Sequence, residues 1–267
     1  MTNENGVDTT MDAIAAARSM RGSVGMLAMH WLMCPSTAEK ATAAGLPEGI
    51  AGYAVGRLGV LGDCSVDDLV TAAFFWEPEY MRTQATAGRA VKSPHEGAAV
   101  YVQLCQEWGT QHLDGFDGNE RLSELAGRVV NAALPDEAPT FAGWRDQSLP
   151  DTGPARTMQL MQTMRELGFA RHCSAVQAAA MSPVEAIMSG PTGAWNARFF
   201  GWSEPYPDGE PLRDARNEIE ADGNIRHAAD FEVLTDDERD EFVALAKGAR
   251  NYAGERVTPE TGAALPN

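Results

Sequence analysis

Helical periodicity, cut into short lengths by proline and glycine, most restricts what this chain can fold into. Apolar residues recur with the spacing of one helix face almost throughout the 267 residues. Pro35, Pro78, Gly45 and Gly62 interrupt the pattern where a helix must stop or restart. The expectation is therefore a mainly α protein. A first helix is predicted over 11–33, with Thr10 as its cap and Asp12 at its positive end. Others follow at 36–44, 47–58, 65–76, 94–113 and 118–133. After Pro154, which suits a first helical turn, the pattern predicts helices at 154–167, 171–180, 183–189, 192–200 and 212–221.

The C-terminal region carries the one strand-like signal. Asp222-Gly223 reads as a turn, 224–227 and 232–234 as two short strands around Ala229-Asp230, and Thr235 as the cap of a last helix running to 249. Helix, hairpin and helix in that order outline a winged helix-turn-helix. The expected architecture is two helical halves, at 11–133 and 154–250, with a small β-hairpin wing in the C-terminal half; that both halves are winged-helix-like is what the resemblance given below implies. The segment 134–153, with Pro135, Pro139, Pro150, Gly143 and Gly153, is expected to link them, and Phe141 and Trp144 could pin it to a core. A disordered lead and a disordered tail at 251–267 complete the expectation.

Composition narrows the function classes. Apolar residues make up 44% and charged residues 22%, the balance of a soluble globular protein. The first residues are polar and acidic and lack the basic region of a secretory signal. The most apolar window, 26–33, is broken by His30 and too short to cross a bilayer. A cytoplasmic protein with no membrane partner is expected. Four widely separated cysteines without a CxxC pair read as reduced thiols. The formal charge of −17 repels nucleic-acid phosphates, so direct DNA binding is disfavoured unless a homodimer concentrates the basic group Arg82, Arg89 and Lys92.

Two sets of residues carry a family likeness. One is Gly45-Leu46, Gly52-Tyr53, Gly56-Arg57, Leu61-Gly62, the run Val70 to Phe75, and Pro78. The other is His172, Ala175, Ala178-Ala179, Glu185-Ala186, Gly201-Trp202, the 215–220 helix and Asp222-Gly223. Over about residues 20–250 the chain resembles an actinobacterial family of SalK-like helix-turn-helix proteins. The resemblance implies a tandem winged-helix-like fold and a regulatory role. It departs in the first helix, where Gly25, Met26 and Ala28 stand at the family's Glu-Pro-x-His positions and His30 lies two residues later. His30 therefore inherits no role.

Candidate site residues follow from spacing. Tyr53 and Arg57 lie one turn apart, so both can face one space, where the guanidinium could grip a carboxylate or phosphate. Arg57 could equally cap a helix or pair with an interior acid such as Asp67 or Asp68. Trp195 and Arg198 are similarly spaced, and Trp195, Phe199, Phe200 and Trp202 make either an aromatic wall or ordinary core. Trp76 and His172 complete the expected lining, His172 as a half-buried polar residue to which the family resemblance extends. Its neighbour Cys173 points elsewhere on a helix, which argues against a thiolate–imidazole pair. The pairs His30/Cys34 and Cys105/His112 lack third and fourth ligands, so no metal site is expected. Gly190-Pro191-Thr192-Gly193 could present backbone amides to an anion or simply connect two helices. No nucleotide-binding, hydrolase-elbow or zinc motif appears, and no cofactor is implied.

Three classes remain open on this reading. The first is a small-molecule-binding, regulator-like protein whose pocket is lined by Tyr53, Arg57, Trp76, His172, Trp195 and Arg198. The second is an enzyme using a His or Arg between the halves, and the third is a DNA-binding repressor.

Overall fold

Most helices begin where local chemistry dictates. Ser93 accepts a hydrogen bond from the backbone N–H of Glu96, while the Glu96 carboxylate accepts one from the backbone N–H of Ser93, with Pro94 in the first turn. The same reciprocal cap opens the helices after Ser65, Ser182 and Thr235. A computed structural model describes residues 11–257, and among them there is no β-strand.

The N-terminal helices are α1 (Ala13–Ser19), α2 (Met26–Leu32), α3 (Pro35–Ala43), α4 (Gly49–Arg57), α5 (Val66–Ala72), α6 (Pro78–Val91) and α7 (Pro94–Leu113). Next come α8 (Asn119–Ala132), α9 (Pro139–Arg145) and the 26-residue α10 (Gly153–Ala178). The series ends with α11 (Pro183–Met188), α12 (Gly193–Phe199), α13 (Arg213–Ala228) and α14 (Asp236–Gly254). Between α1 and α2 the backbone winds as a π-helix over Arg21–Gly25.

Helix α10 is the spine. It is covered by α7, α8, α9 and α13, and its buried positions occur on nearly every side. Trp31, Phe141, Trp144, Phe231 and Phe242 are fully buried in the main core around it. A second cluster, with Leu58, Leu69, Trp76 and Met81, lies under α4, α5 and α6. The glycines of the Gly52–Arg57 signature make close packing of α4 and α7 feasible. A Cβ on Gly56 would stand 2.1 Å from the Tyr101 ring, and one on Gly97 would stand 2.2 Å from the Val55 carbonyl oxygen. Both overlaps are far inside van der Waals contact.

The winged architecture is not what forms. Helix α13 runs unbroken through Asp222-Gly223 to Ala228, a 3₁₀ turn covers Ala229–Phe231, and α14 follows its Thr235 cap. The hairpin loses because Ile219, Gly223 and His227 recur every four residues on the face that meets α10. Arg216 and Glu220, and Arg226 and Asp222, also pair at helical spacing. An Asp-Gly pair specifies a hairpin only when its flanks alternate, and these flanks keep the helical period.

Other boundaries shift as well. The helices expected at 154–167 and 171–180 are one helix, and the 11–33 helix is divided by the π segment and capped by Asp12. The expected linker carries α9, whose Thr140, Phe141 and Trp144 are buried. Helix α14 continues to Gly254; Thr10, the lead and residues 258–267 lie outside the described residues.

Candidate ligand-binding cavity

The signature residues Tyr53 and Arg57 point inward to a carboxylate that helical spacing alone did not single out. Glu166, in the middle of α10, is fully buried. Its two oxygens accept from Arg57 Nε at 2.9 Å and Nη2 at 2.5 Å, a bidentate pair. Arg57 Nη1 donates to the Tyr53 hydroxyl at 2.7 Å. Oε1 of Glu166 also accepts from Gln162 Nε2 at 2.5 Å and Arg165 Nη1 at 2.9 Å, and Trp31 Nε1 donates to Gln162 at 3.2 Å. Burial alone would raise the Glu166 carboxyl, but Arg57 and Arg165 more than reverse it, leaving the group below the usual carboxylate range. Burial likewise opposes the charge on Arg57, and Glu166 with Tyr53 outweighs it. The site of this pair is thus an interior lock between α4 and α10, not an open anion clamp.

Arg165 turns the other way, toward a cavity of about 500 Å³, within the range of small-molecule sites. The cavity lies between α1, the π segment, α2, α10, α11, α12 and α13. On α10, Gly168 and Phe169 lie three and four residues after Arg165, and His172 lies four and three after them, so the four form one face. Opposite stand Arg216, Glu220, Gly223 and His227 of α13. Met20, Met26, Met29 and Met164 supply adaptable apolar wall, with Phe75 and Phe200 beside them. The π segment contributes Arg21 and Gly25, and such windings recur at functional sites.

The charged lining is uneven. Arg21 and Arg216 both bond Oε1 of Glu220, Arg21 at 2.8 Å, and Arg216 also donates to the Ala186 carbonyl. Arg171 grips Asp230 through two contacts of 2.9 Å, and His227 Nδ1 lies 3.1 Å from the same carboxylate. Burial raises Asp230, but His227 and Arg171 bring it below its ordinary value, so it stays a carboxylate. A carboxylate only accepts, so Nδ1 of His227 carries the hydrogen. Nε2 of His227 is buried and has no hydrogen-bond partner. His172 stacks on Phe75 with ring centroids 5.6 Å apart, and burial pushes its pKa down to about 4.

Of the six residues expected to line one pocket, His172 faces this cavity. Tyr53 and Arg57 sit in the interior lock. Trp76 is one ring behind the wall, 5.0 Å from Phe200 and 5.7 Å from Tyr53. Trp195 is 53% exposed and stacks on Phe199; Arg198 is on the surface beside Glu204. Cys173 is buried, and that burial raises its thiol pKa, which leaves it inert beside His172. Gly190, Pro191 and Thr192 do border the cavity. Sequence reasoning missed Arg165, Glu166, Arg216, Glu220 and His227. An adjacent Arg-Glu pair inside a long apolar pattern was the available signal for the first two. Among the described residues no group of three or more His, Cys, Asp or Glu side chains is placed to hold a metal, and no helix is long and apolar enough to cross a membrane.

The fold and cavity define a mainly helical protein with a small-molecule-sized chamber against its central helix. A helix-turn-helix family model matches residues 17–258, and the chain belongs to that family. No curated protein and no solved structure matches it.

Proposed function

We propose that this chain is a small-molecule-binding, regulator-like member of the helix-turn-helix family, cytoplasmic, with its ligand held between α10 and α13. Within that family the narrower kinship is to the actinobacterial SalK-like proteins. The observation that carries the reading is the cavity of about 500 Å³, apolar on most of its wall and charged at selected points. Sites that bind small molecules combine those features.

The neutral fluorophore N-phenyl-1-naphthylamine tests it. Saturable fluorescence enhancement at one molecule per chain is expected in the native protein. It is lost in Gly223→Leu, which grows a side chain from the cavity wall, and kept in Gly223→Ala. Absence of saturable binding, or equal binding by the leucine variant, would overturn the reading.

A second reading, an enzyme using the same chamber, is favoured by one observation: the Arg171–Asp230–His227 chain ends in an unpartnered imidazole nitrogen beside the cavity. A general base is held in this way. DNA binding draws support from the family, but the candidate recognition helix opposes it. Arg216 is buried on Glu220, and Arg213 and Arg226 each stand beside a carboxylate, Glu210 and Asp222, so this helix offers phosphate little unopposed positive charge.

A further inference from the structure

The interior charge does not balance at the cavity floor. Glu166 is shared by two guanidinium groups, Arg57 fully buried and Arg165 mostly so, and its oxygens are already met by Arg57, Gln162 and Arg165. One net positive charge remains. Arg57 is satisfied by Glu166 and Tyr53, so the surplus falls on Arg165. After its single bond to Glu166, the other contact of Arg165 is Nη2 to the Met29 sulfur at 3.9 Å. A thioether is a weak acceptor, and a guanidinium offers five N–H donors. A guanidinium held mostly out of water, with donors to spare and facing a cavity, is placed to grip an anion.

A second orphan stands on the same face. A Cβ on Gly168, one turn along α10 from Arg165, would lie 3.4 Å from the partnerless Nε2 of His227. His227 is 4% exposed and borders the cavity. A guanidinium with donors to spare, backed by methionine and phenylalanine, describes the negative of a ligand with an anionic head and an apolar body, and Nε2 of His227, an acceptor when Nδ1 carries the hydrogen, calls for a donor rather than for the anion.

We infer that the cavity takes an organic monocarboxylic acid, its carboxylate on Arg165 and its apolar body against the methionine and phenylalanine wall. This rests on the small-molecule reading and names the ligand class. A single surplus charge suits a monoanion.

The test is displacement of N-phenyl-1-naphthylamine by decanoate and by 3-phenylpropanoate, each measured against its own primary amide. At least one acid is expected to compete at a concentration 10-fold or more below its amide, a ratio equivalent to about 1.4 kcal/mol. In Arg165→Gln, acid and amide should become equal while the fluorophore still binds. Because the Arg57–Glu166 pair is balanced without Arg165, this variant is expected to fold. Should it not, the acid-to-amide ratio in the native protein decides alone. If amides match their acids, or neither acid displaces the fluorophore, the acid inference is wrong and the small-molecule reading stands. If the fluorophore itself fails to bind, and a thermal scan with either acid shows no shift, both fall.

Discussion

His172 shows how far surroundings can move one imidazole. Stacked on Phe75 and largely out of water, it has a pKa of about 4 against an ordinary 6.5; burial is the main cause, and Arg216 and Arg21 add to it against the pull of Glu220. The unfolded chain therefore takes up this proton first as pH falls. The stabilising effect of a neutral His172 is complete above pH 6.5 and is lost progressively toward pH 4. Between about pH 7 and 5, native protein should lose about 1 kcal/mol more stability than His172→Gln, a value discounted for partial exposure. Urea midpoints across that range check it, and parallel curves would contradict it. His172 could be singled out through the family resemblance, and Tyr53 and Arg57 through their one-turn spacing, because both signals are local. Glu166 could not, because its partner Arg57 lies 109 residues away, and only the folded packing of α4 on α10 brings them together.

At the scale of elements, helix α13 decides between two readings of one dipeptide. In a hairpin turn Gly223 would need a positive φ, and alanine there would be destabilising. In the helix, a Cβ would meet Ala175 and His172 at 3.7 Å, ordinary contact. Gly223→Ala is therefore expected to stabilise the protein by about 0.5–1 kcal/mol, the difference in helix propensity. Chemical denaturation measures it, and a loss of stability would restore the turn. Helix starts were legible because a cap needs only four neighbouring residues, as at Ser93 and Thr235. The wing was misread for the same reason in reverse: Asp222-Gly223 is a strong local signal, and the face formed by Ile219, Gly223 and His227 overrode it through contact with α10. The π segment left no mark that periodicity could detect, since one extra residue per turn disturbs the pattern no more than a loose amphipathic stretch does.

Over the whole molecule, the formal charge of −17 and the carboxylate-opposed arginines of α13 work together. No association with a mixed-sequence DNA duplex is expected below about 10 μM protein at about 0.1 M salt, since nonspecific affinity rises with cations free to displace counterions. Fluorescence anisotropy of labelled duplex checks this, and tight, salt-sensitive binding would require a basic face assembled between copies. The helical class was legible from periodicity throughout. The segment 134–153 carries a helix, and Phe141 and Trp144 pin it to the same core as Trp31 and Phe242. Proline and glycine density marks a break in regular structure, and buried aromatic residues hold that break against the core.

Because α10 is both the wall of the cavity and the spine of the core, occupancy cannot remain a local event. A molecule that binds the folded chain alone draws the folding equilibrium toward it by mass action, by about 2.7 kcal/mol at a free concentration 100 times its dissociation constant. Helices α1 and α13, drawn from opposite ends of the described chain, close the chamber against that spine. Abundance in the cell would then follow the supply of ligand, with the empty form the one first cleared.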